Sequence, residues 1–163
     1  LAGKGDMEHC REEVRNVVYD GSALKKFAAM VKRQGGNSEV VNDESILGKS
    51  EFTQDIVSNR DGYVESIKTD LLGTASMVLG AGRETKDSSI DHLAGIVLHK
   101  KTGAKVEKGE VIATLHTNKE EKLKEAESVL REAYIISNRR PETRSLILAF
   151  VNSTDVRKYV DEI

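Results

Sequence analysis

Two glycines and an arginine stand together in Leu79-Gly80-Ala81-Gly82-Arg83. Backbone N–H groups of a glycine turn, helped by a guanidinium, can cradle an anion such as phosphate. A structural reading competes with this one. An apolar helical stretch, Thr69 to Leu79, runs directly into the glycines, which would then stop the helix. Arg83 would pair with Asp87 or Asp91. The structural reading is preferred, and it predicts that Arg83 serves stability more than anion affinity.

Three histidines, His92, His99 and His116, raise the question of a metal site. Their intervals of seven and seventeen residues match no usual ligand spacing. If His99 and His116 lie on neighbouring strands they could approach one another, but surface histidines are the simpler account, and no metal ligand is assigned. Asp87 and Asp91, four apart, could be paired carboxylates for acid–base work, but no partner is implied beside them. Asp91, just ahead of an apolar run, is expected to tie down its loop by accepting backbone N–H groups. Cys10 is the single cysteine, which excludes an internal disulfide and a cysteine-based metal centre. It reads as a plain, partly buried thiol.

These groups must be held by a modest aliphatic core. The chain has 163 residues, 38% hydrophobic and 32% charged, with no Trp. Val, Leu, Ile and Ala therefore carry the packing. Net charge is −2 and no stretch is dominantly basic, which gives nucleic-acid binding no electrostatic basis. No apolar run reaches membrane-spanning length and no signal peptide is visible; the single cysteine fits a reducing cytosol, and a cytoplasmic protein is expected.

The periodicity predicts two leading helices. Val14, Val17 and Val18 share a face of the first. Leu24, Phe27, Ala28 and Val31 follow the i, i+3, i+4, i+7 rule in the second, with Ser22 as its cap and Gly35-Gly36 as its stop. Residues 37–50 read as a linker with at most one helical turn. Phe52 to Val57 and Tyr63 to Ile67 read as strands joined by an Asp61-Gly62 hairpin turn. Thr69 to Leu79 is helical, capped by Thr69 or Asp70. Leu93 to Lys100 and Val111 to His116 are strands, with Thr102-Gly103 and Lys108-Gly109 as turns between them. Glu120 to Ala133 is an amphipathic helix presenting Leu123, Ala126, Val129, Leu130 and Ala133. Tyr134 to Ile136 and Leu146 to Val151 are late strands, and the last dozen residues are a tail or a short helix.

The run Gly103 to His116 is similar to biotinyl and lipoyl carrier domains, which use the same pattern of glycines and valines. Lys119 even stands where the carrier lysine would stand. Its neighbours, Asn118 and Glu120, and the long helix that follows do not suit a carrier, whose lysine sits at a hairpin tip. A solvated surface lysine is preferred, and likeness of packing does not transfer function.

A larger ordered set is more specific: Asp61-Gly62-Tyr63-Val64, Leu79 to Arg83, Ile90-Asp91, Ala94-Gly95-Ile96-Val97-Leu98-His99-Lys100-Lys101, then Gly103 to His116. Together these resemble the C-terminal domain of pyrimidine-nucleoside and thymidine phosphorylases over about residues 51 to 150. The helices ending at Gln34-Gly35-Gly36 resemble the last two helices of that family's central α/β domain. The resemblance implies cleavage of a pyrimidine nucleoside by phosphate to a free base and a pentose 1-phosphate. It also implies that the site lies between an all-α and an α/β domain, outside this sequence. Its Ser-Gly-Arg and Gly-Gly-Thr motifs are absent here, so no catalytic or substrate-binding residue is carried over. Phosphate is then a co-substrate of the larger enzyme, and any potassium ion belongs to its other domains.

The expected fold is α+β: a small, curved antiparallel sheet of barrel-sandwich or hammerhead type with packed helices, preceded by a helical hairpin. The expected divisions are 1–36 for the hairpin, 37–50 for the linker, 51–151 for the phosphorylase-like domain and 152–163 for a tail. Gly62, Gly80, Gly82, Arg83, Asp91, Gly95, Gly103 and Gly109 are the residues expected to shape it. The expected partners are the other domains of the same enzyme, a homodimer in this family. A stand-alone interaction module is the alternative outside enzymology, alongside the carrier reading at Lys119.

Overall fold

The computed structural model describes residues 5–83, 85–86, 88–142, 147–151 and 153–158. It divides into two compact units, 1–49 and 50–163. Among the described residues no helix is long and apolar enough to cross a membrane.

The first unit is built on α1 (Met7–Tyr19) and α2 (Ser22–Arg33). Asp6 caps α1, its side chain accepting the His9 N–H at 2.9 Å. At the other end Asp20 Oδ1 accepts the Ser22 N–H at 2.8 Å, and this bond holds the Asp20 carboxyl below its ordinary range. Ser22 is therefore the first residue of α2 rather than its cap. Gly21 takes the cap position, with φ at 74°, because Asp20 already satisfies the Ser22 N–H. The expected stop is in place: the Gly36 N–H reaches back to the Val31 carbonyl at 2.9 Å around a left-handed Gly35. Two short 3-10 turns follow, Ser38–Val41 and Glu44–Leu47, each opened by a side chain, Asn37 or Asp43, that accepts a backbone N–H. No described residue of this unit is buried.

The second unit holds eight strands and two helices among the described residues. In chain order they are β1 (Phe52–Val57), β2 (Gly62–Ile67), α3 (Thr69–Ser76), β3 (Gly95–Leu98), β4 (Lys105–Val106), β5 (Val111–Thr117), α4 (Leu123–Ala133), β6 (Tyr134–Ser137), β7 (Ala149–Val151) and β8 (Val156–Lys158). The architecture is α+β, as the sequence predicts. Its antiparallel pairing is divided between two three-stranded sheets, β1-β5-β3 and β4-β2-β6, and a two-stranded ribbon, β7-β8. Within the last dozen residues Val156–Lys158 form β8, whereas 152 and 159–163, which the expected tail or short helix includes, lie outside the described residues. The start of the late strand at Leu146 lies outside the described residues.

The Asp61-Gly62 turn does not close a hairpin between β1 and β2. It carries the chain from one sheet to the other. The segment between them is tied to a different turn: Ser58 N–H donates to the Glu110 carbonyl, Gly109 N–H to the Ser58 carbonyl and Lys108 N–H to Asp61 Oδ1, each at 2.8 Å. These bonds leave β1 on β5, while β2 begins against Val106 and continues along β6.

β5 is the central strand of the first sheet because Ile112, Ala113, Leu115 and Thr117 are all buried. A strand covered on both faces is free to be apolar almost throughout. Ile56, Val64, Leu79, Val106, Leu115 and Leu130 form the centre of the core. α4 contributes Ala126, Leu130 and Ala133, three of the five residues that the helical period places on one face, and it packs on α3. Leu123 and Val129 complete that face at the core margin. The helix caps of α3 and α4 make no side-chain bond; Lys68, not Thr69 or Asp70, precedes α3.

Candidate functional site

The chemically suggestive glycines lie at the end of α3. The helix continues into a wider turn, Met77–Ala81, and breaks at Gly80, whose φ of 111° and ψ of 0° are closed to ordinary side chains. A helix that stops leaves carbonyls without intrahelical donors. Here two of them find donors from distant segments. Thr117 Oγ1, fully buried, donates to the Leu79 carbonyl at 2.7 Å. The Asp91 N–H donates to the Gly80 carbonyl at 2.9 Å.

Asp91 extends this arrangement. Its Oδ1 accepts the Leu93 N–H at 2.9 Å and the Asn118 amide Nδ2 at 3.1 Å. The Asn118 Oδ1 in turn accepts the Glu51 N–H at 2.8 Å. Thr117 Oγ1 also accepts the Lys119 N–H at 3.1 Å. Residues 117–119, at the end of β5, thus clasp the end of α3, the loop before β3 and the entry to β1. Every polar group named here is used on another part of the protein, so the arrangement holds backbone in place rather than presenting donors to a ligand.

Arg83 is exposed just outside this clasp. No ion pair joins it to Asp91 among the described residues, since the Asp91 Oδ1 serves Leu93 and Asn118 instead; Asp87 lies outside the described residues. Gly82 has extended backbone, and a Cβ there would press on the Met77 side chain at 3.0 Å. Gly62, with φ at 150°, lies so close to the Ser137 carbonyl and the Ile136 side chain that a Cβ would overlap the carbonyl oxygen. Gly103 and Gly109 are turn glycines whose N–H groups donate to the Val64 and Ser58 carbonyls, both at 2.8 Å. Gly95, in β3, has open space where a Cβ would stand.

The histidines are dispersed. His92 is exposed. His99 Nε2 meets Thr114 Oγ1 at 2.8 Å, and Thr114 donates its hydroxyl proton to Asp55 Oδ1 at 2.6 Å, so the His99 nitrogen is the donor of the pair. His116 Nδ1 contacts Ser50 Oγ at 3.2 Å. His116 lies opposite Gly95 at one end of the β3–β5 ladder, whereas His99 follows its other end, so the two do not converge. Among the described residues no group of three or more His, Cys, Asp or Glu is placed to hold a metal. Cys10 is part-exposed, its Sγ 3.9 Å from the Gly5 carbonyl. Lys119 is exposed and leads into a 3-10 turn, Glu120–Lys122, and then α4, without the returning strand of a carrier hairpin.

Thr117, Asn118 and Tyr134 are functional to this framework, and no motif in the sequence singles them out. One signal exists for Thr117: strand alternation places it on the same face as Ala113 and Leu115, and a polar residue on a buried face needs a partner. Tyr134 OH reaches the Lys100 carbonyl at 2.9 Å and the Ile112 carbonyl at 3.3 Å, and burial pushes its phenol up to about 12.

A sequence profile for the pyrimidine nucleoside phosphorylase C-terminal domain matches residues 63–137, from the start of β2 to the end of β6. Residues 63–137 are thus similar to the pyrimidine nucleoside phosphorylase C-terminal domain. The matched span contains Gly80, Asp91, Thr117 and Asn118, that is, the clasp itself, with Glu51 just outside it. Curated relatives carry the same name. The chain is 44% identical to a pyrimidine-nucleoside phosphorylase of Bacillus subtilis over 121 residues, 74% of this chain and 28% of the relative. It is 43% identical to that of Geobacillus stearothermophilus over 115 residues, 71% of this chain and 27% of the relative. The Staphylococcus aureus protein of the same name is 38% identical over 122 residues, 74% of this chain and 28% of the relative. The chain thus aligns with little more than a quarter of each relative's length.

Proposed function

We propose that this chain serves as the bracing C-terminal part of a pyrimidine-nucleoside phosphorylase, whose reaction converts a pyrimidine nucleoside and phosphate into a free base and a pentose 1-phosphate. The reacting groups belong to other domains of that enzyme. The observation that carries this reading is the clasp: inside the family-matched span, the polar side chains of Thr117, Asn118 and Asp91 are bound to backbone or to each other. A domain of this kind steadies its neighbours and so helps set how the catalytic cleft closes.

The first unit supports the same reading. Val14, Val17 and Val18 of α1 and Leu24 and Phe27 of α2 are exposed apolar residues. A two-helix unit with no buried residue among those described cannot account for its own stability. In the proposed enzyme these faces pack within the preceding α/β domain. The enzyme works in the cytoplasm as a homodimer, takes phosphate as co-substrate, and keeps any potassium ion in the domains beyond this sequence.

Two measurements test the reading. The 163-residue chain, incubated with uridine and phosphate, is expected to release no uracil; turnover would place the chemistry here and end the proposal. Residues 51–151, exchanged into the Bacillus subtilis enzyme in place of its corresponding segment, are expected to give an active phosphorylase. A folded but inert chimera would speak against a shared bracing role.

A further inference from the structure

A cleft of about 260 Å³ opens between the end of β1, α4 and β6 in the second unit. Val57, Ile112 and Ile136 give it apolar walls, and Arg60 and Arg131 stand on it as well. The two arginines differ in what they have left to offer. Arg131 Nε and Nη2 each bind Glu127 Oε1 at 2.8 Å, and Nη1 donates to the Val57 carbonyl at 3.1 Å. Its charge is answered and its head is fixed as part of the wall.

Arg60 is exposed and is aimed by a neutral group, its Nη2 donating to Asn138 Oδ1 at 3.0 Å. Among the described residues no carboxylate pairs with it. Arg139 and Arg140 follow Asn138 directly, adding positive charge to the same stretch. An apolar cleft with one oriented cationic group suits a ligand that carries both an apolar body and a negative charge. The volume limits that ligand to about one ring and one anionic group.

We propose that this cleft binds a small aryl phosphate or carboxylate, with Arg60 pairing with the anionic group and Val57, Ile112 and Ile136 covering the ring. The site is separate from the clasp, and it stands or falls independently of the phosphorylase reading.

Phenyl phosphate, titrated into the 163-residue chain and followed by amide NMR shifts at Asn59, Arg60 and Ile136, is the direct probe. Saturable binding is expected, with inorganic phosphate and phenol each about tenfold weaker or more, because each supplies half of the match. Arg60→Gln should weaken phenyl phosphate about tenfold while leaving the melting temperature unchanged. Asn138→Ala, which releases the aim of Arg60 but keeps its charge, should weaken it less. Absence of saturable shifts at millimolar ligand would overturn the proposal. So would wild-type affinity in Arg60→Gln, or equal affinity for inorganic and phenyl phosphate, which would reduce the effect to charge alone.

Discussion

Thr117 Oγ1 donates a 2.7 Å hydrogen bond to the carbonyl of Leu79, the residue before the helix breaks at Gly80. Both residues are fully buried, so neither group can turn to water if the other is removed. Thr117→Val keeps the shape and deletes the donor. It should destabilise the chain by about 1–3 kcal/mol, the cost of a buried carbonyl left without a partner. Thr117→Ser, which keeps the hydroxyl, should lose much less. Equal melting temperatures for Thr117→Val and the wild type would show that the bond contributes nothing.

Asn118 offers a test with a charge in it. Asn118→Asp preserves the acceptor for the Glu51 N–H but replaces the amide donor facing Asp91 Oδ1, 3.1 Å away, with a second carboxylate. Two like charges at that distance repel. The variant should be less stable than wild type by about 1–3 kcal/mol at neutral pH, and the deficit should shrink as acid protonates one of the pair. Urea melts at pH 7 and pH 4 measure this directly; a deficit independent of pH would remove Asp91 as the cause.

Three alanine substitutions at glycine should rank in a fixed order. Gly62→Ala forces a methyl group into the Ser137 backbone at the β2–β6 pairing and should be the most damaging. Gly80→Ala meets only ordinary contacts, 3.4 Å to the Asp91 Cβ, but must hold a φ of 111°, at a cost of about 1–3 kcal/mol. Gly95→Ala has open space and should be close to neutral. Thermal denaturation gives the ranking, and a Gly95→Ala loss as large as that of Gly80→Ala would contradict it.

Tyr134 predicts the alkaline limit. Its folded value, about 12, lies above the ordinary value of 10.0, because burial disfavours the phenolate. Below pH 10 the phenol is protonated in folded and unfolded chains alike and its contribution is fully present. As pH rises toward 12 the unfolded chain releases the proton first, so stability falls. Tyr134→Phe should lower stability at neutral pH, through loss of the bonds to Lys100 and Ile112, and should flatten the decline above pH 10. An unchanged slope would assign the alkaline loss to other groups.

The local elements are readable in the sequence where periodicity and punctuation agree. Leu24, Phe27, Ala28 and Val31 with Gly35-Gly36 mark α2 and its end, and Leu123, Ala126, Leu130 and Ala133 mark the buried side of α4. Pairing is harder, because a turn signal is local and a sheet partner is not. Asp61-Gly62 looks like a hairpin from its neighbours alone; only Lys108 and Glu110, far along the chain, reveal that it is a crossing between sheets. The same limit hides the clasp. Asp91 is legible as a loop tie through Leu93, two residues away, whereas Asn118 and Thr117 act on segments that periodicity cannot bring together.

The separation of β1 from β2 has a consequence for how the polypeptide comes off the ribosome. Phe52 waits for Thr117, and Ile67 waits for Tyr134. Neither three-stranded sheet can finish assembling during synthesis of its first strands, so β1 stays without its partner until Thr117 is made and β2 without β6 until Ser137 is made, both exposed meanwhile to chaperones or to aggregation. A domain wired this way gains its structure late, slowly and nearly all at once.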